Sequence, residues 1–112
     1  MPTPLYEAKA DLFRALAHPV RVRVLELLLE GPRPVHELVV IVGVEPSNLS
    51  QQLAVLRRAG LVDAERGGGT VSYSLSTDYV AALMKSARGI LTSVLTNREK
   101  LLEEIRLSEA AS

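Results

Sequence analysis

Cysteine is absent from this chain of 112 residues. Without a thiol, the chain cannot form disulfides, thiolate zinc sites, cysteine nucleophiles or thiol redox switches. The composition is compatible with a reducing compartment, and we expect the protein to be cytoplasmic.

Long hydrophobic runs are absent too, because uninterrupted apolar runs, such as residues 38–42, are at most six residues long. A helix that crosses a bilayer needs about 20 predominantly apolar residues, so we expect no contact with membranes. Glu7, Lys9 and Asp11 lie among the first apolar residues and argue against a signal peptide.

Net charge is also lacking, because 13 basic residues balance 13 acidic ones. The stretch 33–75 is balanced as well, with four arginines and four acidic residues. Such a chain has no overall positive field to attract a polyanion. Composition therefore does not indicate a nucleic-acid partner, and any such function must follow from motif and geometry.

Catalytic motifs are missing from the sequence. It contains no G-x-S-x-G elbow, no phosphate-binding glycine motif and no carboxylate–histidine group. The run Gly67-Gly68-Gly69 lies between two strand-like segments, so it predicts a turn and not a phosphate-binding loop. We therefore expect no enzymatic activity and no cofactor.

Glycine and proline divide the chain into short segments with regular apolar spacing. The predicted helices cover residues 5–17, a segment from Pro19 to the stop at Gly31-Pro32, residues 34–42, a segment from Glu45-Pro46 to Ala59-Gly60, and residues 78–107; the predicted strands cover 61–66 and 71–75. Two short helices joined at Gly43 and followed by a hairpin indicate a helix-turn-helix with a wing.

The predicted fold is one domain, 1–112, mainly α with a small β-hairpin. Its element order is α-α-α-α-β-β-α, its helix-turn-helix covers 34–59 and its wing covers 61–75.

The last predicted helix is about 45 Å long, which exceeds what a domain of this size can cover. Its apolar stripe persists to Ile105, where a second copy of the chain would bury it. We therefore predict a homodimer built by helices 5–17 and 78–107, with an interface that includes Leu5, Leu12, Leu16, Leu91, Val94, Leu95 and Leu102. The alternative is a helix that packs on its own core for part of its length and frays at its end.

The fourth helix carries the predicted DNA-reading face. With Leu49 set towards the core, the helical period places Ser47, Gln51, Ala54, Val55 and Arg58 on the opposite side, with Asn48 and Ser50 at its margins. Gln51 suits adenine, Ser47 or Asn48 suits a base or a phosphate, and Arg58 suits the DNA backbone. In the alternative interpretation Ser47 and Asn48 only cap the helix, and Gln51 is an ordinary solvated residue.

These features resemble the ArsR family of bacterial winged-helix repressors. The resemblance is carried by Leu16-Ala17-His18-Pro19 with Arg21 and Arg23, by Ser50-Gln51-Gln52-Leu53 leading to Leu56-Arg57-Arg58-Ala59-Gly60-Leu61-Val62, and by Tyr73-Ser74-Leu75. The family implies repression by a dimer of the first and last helices, released when an effector binds.

Two departures from the family pattern concern DNA contacts. Gln52 stands where the family often has His, although its amide can still donate to a phosphate. The wing has Gly68, Gly69 and Thr70 where relatives often carry another cation, so Arg66 is its one obvious basic residue. The predicted DNA-binding set is Ser47, Asn48, Ser50, Gln51, Gln52, Val55, Arg57, Arg58, Arg66 and Thr70.

The family's metal ligands are also replaced. Pro34 and His36 align with a cysteine pair, and Thr77, Tyr79, Ile90 and Ser93 align with an Asp, His, His, Glu set. Two histidines, His18 and His36, do not form a recognisable cluster, so we expect no metal site. The effector remains open between a small organic ligand, a protein partner and none.

The sequence thus predicts a transcriptional regulator that binds an inverted-repeat operator in double-stranded DNA as a homodimer, with repression implied by the resemblance. The alternative is a winged-helix module for protein interaction or dimerisation without specific DNA binding, which zero net charge favours.

Overall fold

The computed structural model describes residues 2–111. The helices are α1 (Leu5–Leu16), α2 (Pro19–Leu27), α3 (Val35–Val42), α4 (Pro46–Arg58) and α5 (Asp78–Ala111); the strands are β1 (Arg33–Pro34), β2 (Val62–Gly67) and β3 (Thr70–Leu75); and a 3₁₀ turn covers Leu28–Glu30. The predicted helices and both hairpin strands are confirmed, with boundaries that differ by up to four residues.

The junction between α1 and α2 follows from a His-Pro pair. Proline disfavours helical backbone in the residue before it but suits the first turn of a helix, and Pro19 begins α2. His18 adopts an extended backbone, and its Nδ1 accepts the Val20 N–H at 3.1 Å. His18 therefore caps α2.

The helix-turn-helix consists of α3 and α4. Gly43 ends α3 in the left-handed conformation with φ of 73°, and its N–H donates to Val39 O at 3.0 Å. Pro46 then begins α4. Leu38 of α3 and Leu49, Leu53 and Leu56 of α4 are at most 1% exposed, so these two helices contribute directly to the core.

The wing is part of a three-stranded antiparallel sheet with strand order β1-β3-β2. Strands β2 and β3 pair from Val62↔Leu75 to Gly67↔Thr70, and Gly68 and Gly69 form the turn with φ of 59° and 79°. Positive φ at both turn residues is the conformation that a two-residue hairpin loop requires. Gly67 and Thr70 are paired strand residues, so the loop is two residues long instead of the predicted four.

The structure adds one short strand, β1, to the predicted element order. Arg33 pairs with Tyr73 and Pro34 with Ser72, so Pro34 lies in an edge strand and α3 begins one residue later than predicted. A two-residue strand carries no sequence period, and a proline is tolerated there because an edge strand need not donate on both sides.

The chain divides into two compact units after Ala81. The first contains every element except most of α5, and it holds the whole core: Leu16, Val24, Leu25, Leu27, Leu28, Leu38, Leu49, Leu53, Leu56, Leu61, Val62 and Val80.

The second unit is the continuation of α5, which extends four residues beyond the predicted Leu107. Helix α5 as a whole has 34 residues, which correspond to about 51 Å at 1.5 Å per residue. Within residues 82–111 only Leu83 and Met84 are half-buried, and the others are exposed. No helix within residues 2–111 is long and apolar enough to cross a membrane.

Candidate nucleic-acid interface

Helix α4 separates its apolar and polar residues sharply. Leu49, Leu53 and Leu56 follow the i, i+4, i+7 pattern and face the core. On the other side Ser47, Ser50 and Gln51 are exposed in the first turns, and Arg57 and Arg58 are exposed in the last turn. Small polar groups therefore occupy the amino-terminal half of the exposed face, and cations occupy its carboxyl-terminal end.

Ala54 and Val55 are less accessible than the helical period predicts, because both are half-buried. Ala54 lines a cleft of about 590 Å³ together with Val35 of α3 and Tyr73 of β3. Ser50, Leu53, Arg57 and Arg58 complete its walls. Neighbouring elements thus cover part of the α4 surface that a helix considered alone would expose.

Three arginines supply free positive charge at this surface. Arg57 and Arg58 of α4 and Arg66 of β2 are exposed, and among residues 2–111 no carboxylate lies within ion-pair distance of any of them. Guanidinium groups without internal partners are available to phosphate oxygens. The surface therefore offers three cations without internal partners, although Glu45, Asp63 and Glu65 are exposed on the same elements.

Arg33, the fourth arginine of residues 33–75, has its guanidinium bound to partners within the same chain. Its guanidinium approaches Glu30 at 2.6 Å and Glu37 at 3.6 Å, and its Nε donates to Leu27 O at 3.1 Å. Counting charges along the sequence cannot reveal this difference between Arg33 and the other three arginines.

Gln52 is also held by internal hydrogen bonds. It is half-buried, its Oε1 accepts from Arg21 Nη1 at 2.9 Å, and its Nε2 donates to Asn48 Oδ1 at 3.0 Å. The predicted phosphate donor therefore has one amide hydrogen already committed. The i, i+4 spacing of Asn48 and Gln52 could have indicated their contact, but nothing in the sequence pairs Gln52 with a residue 31 positions away.

Thr70 lies at the tip of the wing, and its hydroxyl donates to Gly67 O at 3.0 Å. The single hydroxyl hydrogen is thus used within the turn and is not free for a phosphate. Of the predicted wing residues, Arg66 retains its full set of donors.

The residues predicted for dimerisation fall into two groups. Leu5, Leu91 and Leu95 are more than half exposed, Val94 is 38% exposed, Leu102 is 47% exposed and Leu12 is half-buried. Leu16 differs because it is only 8% exposed. It is a core residue of its own subunit and has little surface left for a partner.

Potential metal ligands are not clustered. No group of three or more His, Cys, Asp or Glu side chains within residues 2–111 is arranged to hold a metal ion. His18 caps α2, His36 is exposed on α3, and the hydroxyl of Thr77 accepts the Tyr79 N–H at 3.1 Å at the start of α5. Thr77 therefore has a capping contact at the start of α5.

Comparison with known sequences identifies similar proteins over most of the chain. The family model "Bacterial regulatory protein, arsR family" matches residues 18–64. The chain is 50% identical over 110 residues to the HTH-type transcriptional regulator Rv0081 of Mycobacterium tuberculosis, a match that covers 97% of this chain and 96% of that protein. It is 36% identical over 94 residues to the biofilm growth-associated repressor of Agrobacterium fabrum, with 80% of each chain covered.

Comparison with solved structures identifies the same fold. The crystal structure of Rv0081 matches with a TM-score of 0.81 at 52% identity and covers 87% of this chain and 98% of that one. The solution structure of the homodimeric winged helix-turn-helix DNA-binding domain Mb0332 from Mycobacterium bovis has a TM-score of 0.77 at 29% identity, with 83% and 86% coverage. These matches confirm the predicted winged helix-turn-helix.

Proposed function

The chain belongs to the ArsR family of bacterial regulatory proteins, and from this premise we propose that it is a transcriptional repressor that binds operator DNA as a homodimer. The observation that carries the proposal is the exposed face of α4, where small polar side chains are followed by free arginines. We assign it to the bacterial cytoplasm, where operators are found, and assign it no catalytic activity.

Helix α4 is the element that enters the major groove. In a helix-turn-helix the amino-terminal residues of the second helix contact base edges. Ser47, Ser50 and Gln51 occupy that position here, and Gln51 has the amide needed to pair with adenine N6 and N7. These side chains therefore supply the sequence-reading contacts.

The arginines position the helix on the duplex. Arg57 and Arg58 lie in the last turn of α4, and Arg66 lies on the wing strand β2. Contacts to phosphates fix register and orientation but carry no direct sequence information. We therefore assign these three residues to the DNA backbone.

The dimer brings two α4 helices to one operator. Exposed apolar residues of α1 and α5, such as Leu5, Leu91 and Leu95, supply surface that a second copy buries. A homodimer places its recognition helices one DNA turn apart, about 34–36 Å, and a two-fold axis requires an inverted-repeat operator.

We propose that neither a transition metal nor a thiol oxidant releases the protein from the operator. The chain has no cysteine, and the two histidines and the acidic residues within 2–111 form no ligand cluster. The alternatives left are a small organic ligand, a protein partner, and no effector, in which case the protein's own concentration sets operator occupancy.

The test is nuclease protection on DNA from the protein's own promoter, followed by a salt titration of the affinity. We expect a protected inverted repeat and a linear fall of log K with log salt concentration, because phosphate contacts release counterions. A scrambled duplex of equal length is the control. Absence of a protected site, together with an affinity that does not change with salt, would indicate a protein-interaction module instead.

A further inference from the structure

Arg21 of α2 makes three hydrogen bonds that join two helices to α2. Its Nε donates to Ala15 O at 2.7 Å and its Nη2 donates to Arg14 O at 3.3 Å. Both carbonyls belong to the last turn of α1, and Arg14 O also accepts the N–H of the cap residue Ala17 at 3.2 Å, so Arg21 uses its second lone pair. Its Nη1 donates to Gln52 Oε1 at 2.9 Å on α4.

These contacts fix the position of the guanidinium. The group is planar and rigid, so two bonds to α1 determine the direction in which the third nitrogen points. Arg21 is half-buried, and none of the acidic residues within 2–111 forms an ion pair with it. The Nη1 nitrogen of Arg21 is therefore directed at the side chain of Gln52.

A guanidinium has five donors and no acceptor, so it determines the orientation of every amide that follows. Gln52 must turn its oxygen towards Arg21, which leaves its NH₂ group for Asn48. Asn48 in turn presents its oxygen, which accepts from Gln52 Nε2 at 3.0 Å. The order Arg21, Gln52, Asn48 is thus a chain of hydrogen bonds with a single direction.

The NH₂ group of Asn48 is the free end of this series of hydrogen bonds. Among residues 2–111 no acceptor is hydrogen-bonded to Asn48 Nδ2. Asn48 is the third residue of α4, in the turn that meets the DNA under the proposed function. A cation at the start of the chain also polarises each successive amide and strengthens its donor.

We propose that Arg21 and Gln52 are positioning residues that make Asn48 a hydrogen-bond donor to DNA acceptors. An asparagine with a free oxygen and a free NH₂ can pair bidentately with adenine, which offers one acceptor and one donor. With its oxygen held by Gln52, Asn48 instead selects an acceptor, which is a purine N7, guanine O6, thymine O4 or a phosphate oxygen, and it loses the second contact that distinguishes adenine. This proposal rests on the proposed function and names the chemistry of one of its contacts.

One substitution can reverse the donor and acceptor roles between Gln52 and Asn48. Gln52→Glu retains an acceptor for Arg21, but a carboxylate has no hydrogen to give to Asn48. Asn48 must then turn its NH₂ group towards the carboxylate and its oxygen outwards. The variant keeps the link between α2 and α4 as an ion pair, so a folded protein is expected.

The experiment is interference mapping on the protected operator with full-length protein. One set of duplexes carries 7-deazaguanine or other base analogues that lack an acceptor, and a second set carries methylphosphonates that lack a charged phosphate oxygen. The Asn48 contact is defined as the position where interference with wild type is lost in Asn48→Ala. We expect one such position per half-site, in the base set or in the phosphate set, with about a tenfold loss of affinity.

We expect Gln52→Glu and Arg21→Ala to lose interference at that same position. In a selection from randomised operators, Gln52→Glu should gain a preference for adenine or cytosine there if the contact is to a base. Gln51→Glu is the matched control, because it adds the same charge one residue away and leaves the hydrogen bonds of Arg21, Gln52 and Asn48 in place. Because Gln51 itself reads a base under the proposed function, this variant should lose interference at the base that Gln51 reads but leave interference at the Asn48 position intact.

A second measurement uses the free protein. Side-chain amide resonances of Asn48 and Gln52 in ¹⁵N spectra should shift in Arg21→Ala and Arg21→Lys, since the three donors of an ammonium diverge from one nitrogen and do not reproduce the spread of a guanidinium. Thermal unfolding checks that each variant is folded.

The outcomes separate the two proposals. If wild type protects no site, the proposed function is wrong and the DNA role of Asn48 falls with it. If wild type protects an operator but Asn48→Ala loses no contact, or the contact persists in Gln52→Glu and Arg21→Ala, the proposed function stands and the donor role of Asn48 is overturned.

Discussion

Helices α4 and α5 both carry an apolar stripe at helical spacing, but the stripes have different fates. In α4 the three leucines of the stripe are at most 1% exposed. In α5 beyond Ala81, residues such as Leu91, Leu95 and Leu102 are between 47% and 62% exposed. An apolar stripe therefore predicts a helix equally well in both regions, but it does not say whether the same chain covers it.

The physical consequence concerns what each helix stabilises. Removing apolar area from water contributes roughly 25 cal/mol per Å² in either case. For α4 this free energy belongs to the folding of one subunit. For α5 it becomes available only on association, so its contribution depends on protein concentration.

Truncation after Leu91 tests the comparison most severely. It removes Val94, Leu95, Leu101, Leu102 and Ile105 while leaving the whole core unit in place. We expect a folded monomer at micromolar concentration by sedimentation, with loss of cooperative binding to the operator. A full-length chain that is itself a stable monomer would refute the dimer.

Substitution of one leucine in each stripe should separate folding from association. Leu53→Ala leaves a cavity at a site that is 1% exposed and should lower the free energy of unfolding by about 2–5 kcal/mol. Leu102→Ala should weaken the dimer and lower the midpoint denaturant concentration by an amount that depends on protein concentration. Denaturant titrations at two protein concentrations measure both effects, and equal concentration dependence in the two variants would contradict the distinction.

Arginine substitutions extend the comparison to charge. Arg58→Ala and Arg66→Ala should each reduce the salt slope of DNA binding by about one, with similar losses on all sequences. Arg98→Ala on α5 is the matched control and should leave the slope unchanged. Gln51→Ala should instead relax base choice, so equal loss of discrimination in all of these variants would contradict the assigned roles.

Gly89 offers a smaller test within α5. A Cβ added there meets nothing within 4 Å in the subunit, so Gly89→Ala should raise helix stability by about 0.5–1 kcal/mol. Ala87→Gly, at an exposed position two residues earlier, should lower it by a similar amount. Thermal unfolding measures both, and dissociation of the Gly89→Ala dimer would show that this position lies against the partner.

Metals and oxidants should have the smallest effect of all. Zinc, nickel, cobalt, copper and a mild oxidant should leave operator affinity unchanged at micromolar levels, because neither α4 nor α5 carries a cluster of ligands within the described residues. Gel-shift titrations check this. Stoichiometric release by one metal that His18→Ala or His36→Ala abolishes would reveal a site that we have missed.

Predictions from the sequence succeeded where the signal is local. Pro19, Gly43 and Pro46 set helix boundaries because each restricts or permits backbone conformations at its own position. The glycine pair 68–69 set the hairpin turn for the same reason. The exposed face of α4 was predicted in part, because Leu49, Leu53 and Leu56 recur at helical spacing and define the opposite, buried face.

Predictions were incomplete where contacts join distant parts of the chain. Strand β1 exists because Arg33 and Pro34 pair with residues about 40 positions later. Leu16 shares the apolar spacing of Leu5 and Leu12, yet only Leu16 is buried in its own subunit. Helical period alone cannot distinguish these leucines, because it gives the direction of a side chain but not what lies there.

The sequence by itself thus determined the winged helix-turn-helix and the polar face of α4, because backbone restriction and apolar period act within a few residues. Tertiary structure alone decided which polar side chains remain free. Arg33 is bound to Glu30 and Glu37. Arg21 is bound to Gln52, which lies 31 positions away, and through Gln52 it is linked to Asn48. A donor or acceptor has a limited number of partners, and only the folded chain determines which partners lie within hydrogen-bonding distance.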